Sequence, residues 1–143
     1  MKVEDILAKL VSFPVLGGDH NLEIIHWIQN YIEPFGIATT LVPNEEKTKA
    51  SLHCRIGPSV DGGVILSGHT DVVPVKGQSW DSDPFILTKK DGKLFGRGSA
   101  DMKGFIACCL ASLPSIIKAD LKQPIYFAFS YDEEIGCLAA PEL

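Results

Sequence analysis

Apolar residues recur at helical spacing in the first quarter of the chain. From Val3 to Phe13 they return every three or four positions, which predicts an amphipathic helix that Pro14 ends. A second helical pattern follows two adjacent glycines and covers residues 22–32. Either Asp19 or Asn21 can cap its first turn. The sequence therefore predicts that two helices open the chain.

Short apolar or alternating runs between turn residues predict strands in the rest of the chain. They lie at 37–42, 50–56, 64–66 and 125–129, with a further short strand at 85–87. Residues 102–113 are apolar nearly all round, which predicts a buried helix that Pro114 ends or kinks. We therefore expect an α/β fold with helices on both faces of a mixed, mostly parallel sheet, and a strand at 64–66 covered on both sides. Asp91-Gly92 predicts a tight turn.

Length, composition and charge narrow the class of protein. The 143 residues fit one domain, and 45% hydrophobic with 22% charged residues is not the composition of a disordered chain. Thirteen Lys and Arg against eighteen Asp and Glu give a net charge of −5, which argues against a nucleic-acid partner. The N-terminus lacks the pattern of a secretory signal, and no apolar run approaches the ~20 residues that cross a bilayer. We expect no membrane partner and a cytoplasmic location.

The cysteines do not suggest a covalent scaffold. Four of them, unevenly spaced and without a C-x-x-C pair, fit neither a disulfide framework nor a cysteine zinc knuckle. Cys108 and Cys109 lie in the predicted buried helix, so we interpret both as core residues.

Polar side chains follow two buried strands and a glycine-rich loop. They are His69 with Asp71, Asp101, and Glu133 with Glu134. Because ligand sites in open α/β sheets lie at the carboxyl ends of the strands, we expect these groups to converge. Imidazole and carboxylate without thiolate are ligands that suit zinc, cobalt or manganese.

Each of these residues also has a structural interpretation. A His-x-Asp triplet is common by chance, Asp101 can cap the helix that follows it, and Asp132-Glu133-Glu134 can be a solvated acidic turn. If His69 binds a metal, Asp71 has the spacing to orient the imidazole. Of the adjacent glutamates, one can bind metal while the other handles a proton, and the spacing alone does not separate them.

Four segments resemble the signature blocks of the zinc-dependent aminoacylase and carboxypeptidase family. They are GHTDVVPV, WDSDPF, KLFGRGSADMKGF and SYDEEIGC, in this order. The resemblance implies a metal-dependent amide hydrolase of di-zinc exopeptidase-like fold that acts on a small N-acyl amino acid and binds two Zn²⁺ or Co²⁺ ions. It assigns three metal ligands, His69, Asp101 (bridging) and Glu134, and two catalytic residues, Glu133 as general base and Asp71 orienting His69. It further implies a cis peptide bond between Asp101 and Met102.

The resemblance also implies that parts of the family's catalytic domain are missing. Members continue with another acidic ligand, an inserted dimerisation domain and a late histidine ligand. We therefore expect residues 1–143 to be the N-terminal part of a catalytic domain whose parent is a homodimer. We expect this fragment to be inactive with weak or no metal binding, the alternative being a non-catalytic module that pairs with a partner chain. Residues 138–143 fit this view, because they resemble a helix that has only begun.

Overall fold

The computed structural model describes all 143 residues. Its α-helices are α1 (Val3–Val11), α2 (Leu22–Ile32) and α3 (Lys103–Ile116). Its strands are β1 (Thr39–Pro43), β2 (Ala50–Ile56), β3 (Val64–His69), β4 (Thr88–Lys90), β5 (Lys93–Phe95) and β6 (Ile125–Ser130). One short 3₁₀ turn, at Glu33–Phe35, follows α2, and a second, at Ala140–Glu142, lies near the last residue.

Four strands form one sheet in the order β1-β2-β6-β3. Both β1 with β2 and β2 with β6 are antiparallel, and only β3 with β6 is parallel. The predicted α/β class and mixed sheet are confirmed, but the expectation of a mostly parallel sheet is wrong for these residues. The loop between β1 and β2 is too short for the crossover that parallel strands need, so these two strands form a hairpin.

All three α-helices contribute to a single core on one face of the sheet. Of its 21 buried residues, all but Val15 and Ile37 come from α1, α2 and α3 and from alternate positions of β2 and β6, including Leu52, Cys54, Phe127 and Phe129. The opposite face carries the exposed Arg55. Helices on both faces were expected, and within these 143 residues the second face has none.

The strand at 64–66 is not covered on both sides, contrary to expectation. Val64 is 58% exposed and Ile65 is 66% exposed, because β3 is an edge strand and no helix covers the face opposite the core. The apolar run predicts a strand correctly, but it does not specify which neighbours pack on it.

Helix α3 continues through Pro114 and ends at Ile116. Cys109 is buried, as expected, but Cys108 is exposed, so its interpretation as a core residue is wrong. The apolar surface of α3 is wider than the surface its neighbours cover, and Phe105 is also 37% exposed.

The hairpin β4–β5 turns at Asp91-Gly92, where both residues have positive φ (50° and 72°). This agrees with the predicted tight turn. The strand expected at 85–87 is a turn instead, and the extended segment begins at Thr88. None of the helices is both long enough and apolar enough to span a membrane.

Candidate metal centre

The parallel pair β3–β6 places two of the predicted groups side by side. Its register ends at His69 opposite Ser130, so the segments that follow leave the sheet at the same level. The backbone N–H of Thr70 donates to the Ser130 carbonyl at 2.9 Å, and the Thr70 hydroxyl donates to the same oxygen at 3.0 Å. These bonds hold the His69–Asp71 segment against the segment that carries the two glutamates.

His69 lies almost buried at the centre of the candidate site. Its Nδ1 donates to the Asp71 carbonyl at 2.9 Å, while Nε2 lies 3.0 Å from Oδ1 of Asp101 and 3.7 Å from Oε2 of Glu133. Burial lowers the pKa of His69, but hydrogen bonds with Asp71 and Asp101 outweigh it and raise the pKa to about 9. Because Nδ1 is held by Asp71, Nε2 is the nitrogen that faces the surrounding carboxylates.

Asp71 is fully buried behind the imidazole. Its carboxylate accepts the backbone N–H groups of Glu133 and Glu134 at 3.2 and 3.0 Å, and one oxygen lies 3.6 Å from Nδ1 of His69. Burial raises the pKa of Asp71, but the hydrogen bonds from His69 and from the two N–H groups bring it below the ordinary value. Asp71 therefore stays ionised and links the imidazole to the backbone of both glutamates.

Asp101 lies at the rim of the site, with 77% of its side chain exposed. The peptide bond to Met102 is cis, as the resemblance implies. The alternative interpretation of Asp101 as a helix cap is wrong, because Met102 occupies the cap position of α3 and no side chain caps it. The Asp101 carboxylate is instead directed at His69.

The two glutamates also lie beside the imidazole, and Glu133 is near Nε2, as Asp101 is. Ligand atoms of His69, Glu133 and Glu134 all lie within 4.8 Å of one another. Burial raises the pKa of Glu134; the charge of His69 lowers it, whereas the neighbouring carboxylates, Asp101 first among them, raise it. The structure therefore brings all five predicted residues together, with Asp101 outside the tightest group.

The donor set fits a hard or borderline divalent cation. One imidazole nitrogen and several carboxylate oxygens converge without a thiolate, a combination that suits zinc, cobalt or manganese. Asp71, which contacts the imidazole on the side away from Nε2, matches the carboxylate that commonly orients a metal-binding histidine.

Sequence reasoning overlooked two residues beside the site. Lys103 is fully buried and donates from Nζ to the Phe13 carbonyl at 2.7 Å, and its burial lowers its pKa to about 8. Asp132 is also buried and pairs with Lys49 at 2.6 Å. Lys103 could have been found from the sequence, because it is a lysine at the start of an otherwise apolar helix. Nothing in the local sequence distinguishes Asp132 from the two acidic residues that follow it.

The site is open to solvent. The three cavities of the structure share no residue with it, and the largest, about 630 Å³, lies against the Gly57 end of β2. With 40% of the Glu133 side chain exposed, the site within these 143 residues is a surface rather than an enclosed pocket.

This fold matches a known class of protein. The model of peptidase family M20/M25/M40 matches residues 65–143, more than half of the chain and all five site residues. The chain belongs to this family.

Among curated proteins the chain is similar to acetylornithine deacetylases. It is 40% identical to that of Proteus mirabilis (strain HI4320) and 37% identical to that of Shigella sonnei (strain Ss046), each over 121 residues. The match covers 84% of this chain and 31% of each relative, so the chain spans about a third of the length of these proteins.

Solved structures confirm the fold. The match with human carnosine dipeptidase 1 covers 98% of this chain and 34% of the dipeptidase chain, with a TM-score of 0.78 and 24% identity. The match with the M20 family metallo-carboxypeptidase Sso-CP2 from Sulfolobus solfataricus covers 96% of this chain and 32% of the carboxypeptidase chain, with a TM-score of 0.80 and 20% identity. At these identities the likeness establishes the architecture alone.

Proposed function

We propose that this chain is the N-terminal part of the catalytic domain of an amide hydrolase that converts N2-acetyl-L-ornithine to L-ornithine and acetate. The observation that carries the proposal is that ligand atoms of His69, Glu133 and Glu134 lie within 4.8 Å of one another, with Oδ1 of Asp101 3.0 Å from Nε2 of His69. The substrate rests on the 37–40% identity to acetylornithine deacetylases. In the cell this reaction would serve arginine synthesis.

Three residues would hold the metal and two would serve the chemistry. His69, Asp101 and Glu134 would hold two Zn²⁺ or Co²⁺ ions. When bound, such ions polarise an amide carbonyl and acidify a water molecule.

Glu133 has the position of a proton carrier. Its carboxylate is partly exposed, 3.7 Å from Nε2 of His69, so it can reach both a water molecule and a substrate at the surface of the site. It would accept a proton from the attacking water and return it to the departing amine nitrogen. Asp71 would hold His69 in one orientation throughout.

The proposed enzyme needs residues beyond these 143. The open site and the coverage of about a third of each relative support a longer protein, in which the family resemblance implies a further acidic ligand, a further histidine ligand and a dimerisation domain. We therefore expect the isolated chain to bind metal weakly and to be inactive. If this chain alone hydrolyses N2-acetyl-L-ornithine with added zinc or cobalt, this part of the proposal fails.

Three variants of the full-length protein separate the roles of the acidic residues. Glu133→Gln should abolish turnover and leave the metal content nearly unchanged, because the amide cannot carry the proton. Glu134→Ala and Asp101→Ala should lower the metal content measured by elemental analysis. Equal metal loss in all three variants would show that Glu133 is a ligand and not the base.

The substrate is tested by comparing amides on the full-length wild-type protein. Values of kcat/KM for N2-acetyl-L-ornithine are compared with those for succinyl-diaminopimelate, other N-acyl amino acids and dipeptides. We expect the first to be highest. If another of these compounds is preferred, the proposed hydrolase activity stands but the proposed substrate is wrong. If none of them is hydrolysed, the result favours a non-catalytic module.

A further inference from the structure

Asp132 joins the last strand of the sheet to the two glutamates of the site. It follows β6 by two residues, is 5% exposed and has a φ of +55°, in the left-handed region. This conformation is uncommon for non-glycine residues, and aspartate adopts it more readily than most when its carboxylate is hydrogen-bonded. The direction in which Glu133 and Glu134 leave the sheet therefore depends on what holds Asp132.

Two other segments of the chain hold the Asp132 carboxylate. Its Oδ1 accepts the backbone N–H of Gly18 at 2.9 Å, and its Oδ2 lies 2.6 Å from Nζ of Lys49. The Lys49 side chain is only 12% exposed, and its ammonium lies 5.7 Å from the centre of the Tyr131 ring. Both oxygens of this buried carboxylate thus have a partner from a distant part of the sequence.

The loop that presents Lys49 is itself fixed. Oδ1 of Asn44 accepts the backbone N–H groups of Thr48 and Lys49 at 2.9 and 2.8 Å, and the Asn44 N–H donates to the Lys49 carbonyl at 3.0 Å. Lys49 therefore reaches Asp132 from a closed turn rather than from a loose loop.

The segment that contains Gly18 also lies against the site. A Cβ atom on Gly17 would lie 2.7 Å from Cγ2 of Ile135 and 3.5 Å from Oδ2 of Asp71. The backbone can approach the site this closely only because Gly17 has no side chain. The Asp132 carboxylate thus ties the residues after β6 to two loops that surround the site.

We propose that the Lys49–Asp132 ion pair is a positioning device, which fixes the backbone of Glu133 and Glu134 so that both carboxylates face His69. Its consequence for catalysis rests on the proposed function. A buried ion pair is weak evidence for a role in stability, since apolar residues of similar volume often stabilise a fold as well or better. Here the pair lies one residue before the glutamates and holds a left-handed backbone, which favours a role in placing them.

Amide hydrogen exchange in the full-length protein tests this positioning without metal or substrate. The amides of Glu133 and Glu134 are bonded to Asp71 and report the local geometry, while those of Phe127 and Phe129 in β6 report the stability of the core. Lys49→Met removes the charge and keeps the length of the side chain. We expect exchange at the two glutamates to accelerate at least about tenfold relative to the core.

Lys47→Met is the matched control, because Lys47 is an exposed lysine of the same loop that forms no ion pair. It should leave exchange at both sets of amides unchanged. Lys49→Arg should restore protection of the glutamates. Asp132→Asn, which keeps an acceptor for Gly18, should reproduce the local acceleration. If exchange accelerates equally at both sets of amides, or if Lys49→Met and Asp132→Asn unfold completely, the pair only stabilises the fold and the proposal is overturned. Unchanged exchange at the two glutamates would also overturn it.

Kinetics then test the catalytic consequence. In the full-length protein Lys49→Met should lower kcat about 10- to 100-fold with little change in KM, the loss typical of a group that supports metal ligands, and Lys49→Arg should recover most of it. A kcat unchanged in Lys49→Met would overturn the catalytic role of the pair. A wild-type protein without hydrolytic activity would refute the proposed function instead, and the exchange result would still decide whether the pair positions the glutamates.

Discussion

Replacing Asn21 with alanine tests how the start of β2 is held. Asn21 is fully buried, and its carboxamide both donates to the Ala50 carbonyl and accepts the Ala50 N–H, each at 2.9 Å. Pairing between β2 and β6 ends at Leu52 and Phe129, so the backbone groups of Ala50, two residues earlier in β2, have no partner in β6. The carboxamide therefore takes the place of a strand partner on the β6 side of Ala50, whose other side pairs with Pro43 of β1.

The cost of Asn21→Ala follows from the groups left behind. The variant leaves one buried N–H and one buried carbonyl of Ala50 unpaired, and each such group costs about 1–3 kcal/mol. The free energy of unfolding should therefore fall by about 4 kcal/mol. This is a large fraction of the roughly 5–15 kcal/mol that stabilises a typical domain.

Urea unfolding of the 143-residue chain measures this loss, with the combined fluorescence of Trp27 on α2 and Trp80 as the signal. For an m value of about 2 kcal/mol/M, the midpoint should move down by about 2 M. Asn30→Ala is the control, since Asn30 is exposed on the same helix, and it should change the midpoint little. If the two variants unfold at the same urea concentration, the bridge to Ala50 does not stabilise the chain.

Three further predictions concern thiols and the imidazole. Burial raises the pKa of Cys54 and Cys109 to about 11, so Ellman's reagent should label only Cys108 and Cys137 in the folded chain and all four thiols in urea. Fast native labelling of Cys54 would contradict its burial. The two buried thiols stay protonated in the folded state while unfolded thiols ionise near 9.0, so stability should fall as the pH rises from 9.0 to about 11. Replacing Cys54 with alanine should reduce this decline, and an unchanged slope would assign it to other groups. In the full-length protein Asp71→Asn should weaken zinc binding about 10- to 100-fold in competition with a chelator, and an unchanged affinity would reject its role in orienting the imidazole.

Much of the candidate site could be predicted from the sequence, because its residues lie in short segments directly after strands. His69 is the last residue of β3, Asp71 follows it, and the two glutamates follow β6, whose end is level with that of β3. Asp101 needed the family resemblance, since its position before a helix fits a cap equally well. The assignment of Glu133 and Glu134 to separate roles stays a prediction, because both lie within reach of His69.

The sequence by itself determined the elements whose signals are local. The periodicity of α1 and α2, the alternation in β2 and the Asp91-Gly92 turn each depend on residues a few positions apart. Such patterns record which face of a segment is apolar and where the chain can turn. They therefore predict the element without knowledge of its neighbours.

Only the tertiary structure decided which segments meet. Strand order and direction, the exposure of Val64 at the sheet edge, the bridge from Asn21 to Ala50 and the ion pair of Lys49 with Asp132 join residues that are distant along the chain. Asn21 shows the difference: its position before α2 predicts a cap, but its side chain forms no cap hydrogen bond and pairs with a strand 29 residues away. The physical reason is that burial and the pairing of polar groups are satisfied by the whole fold, so the same local sequence has different partners in different surroundings.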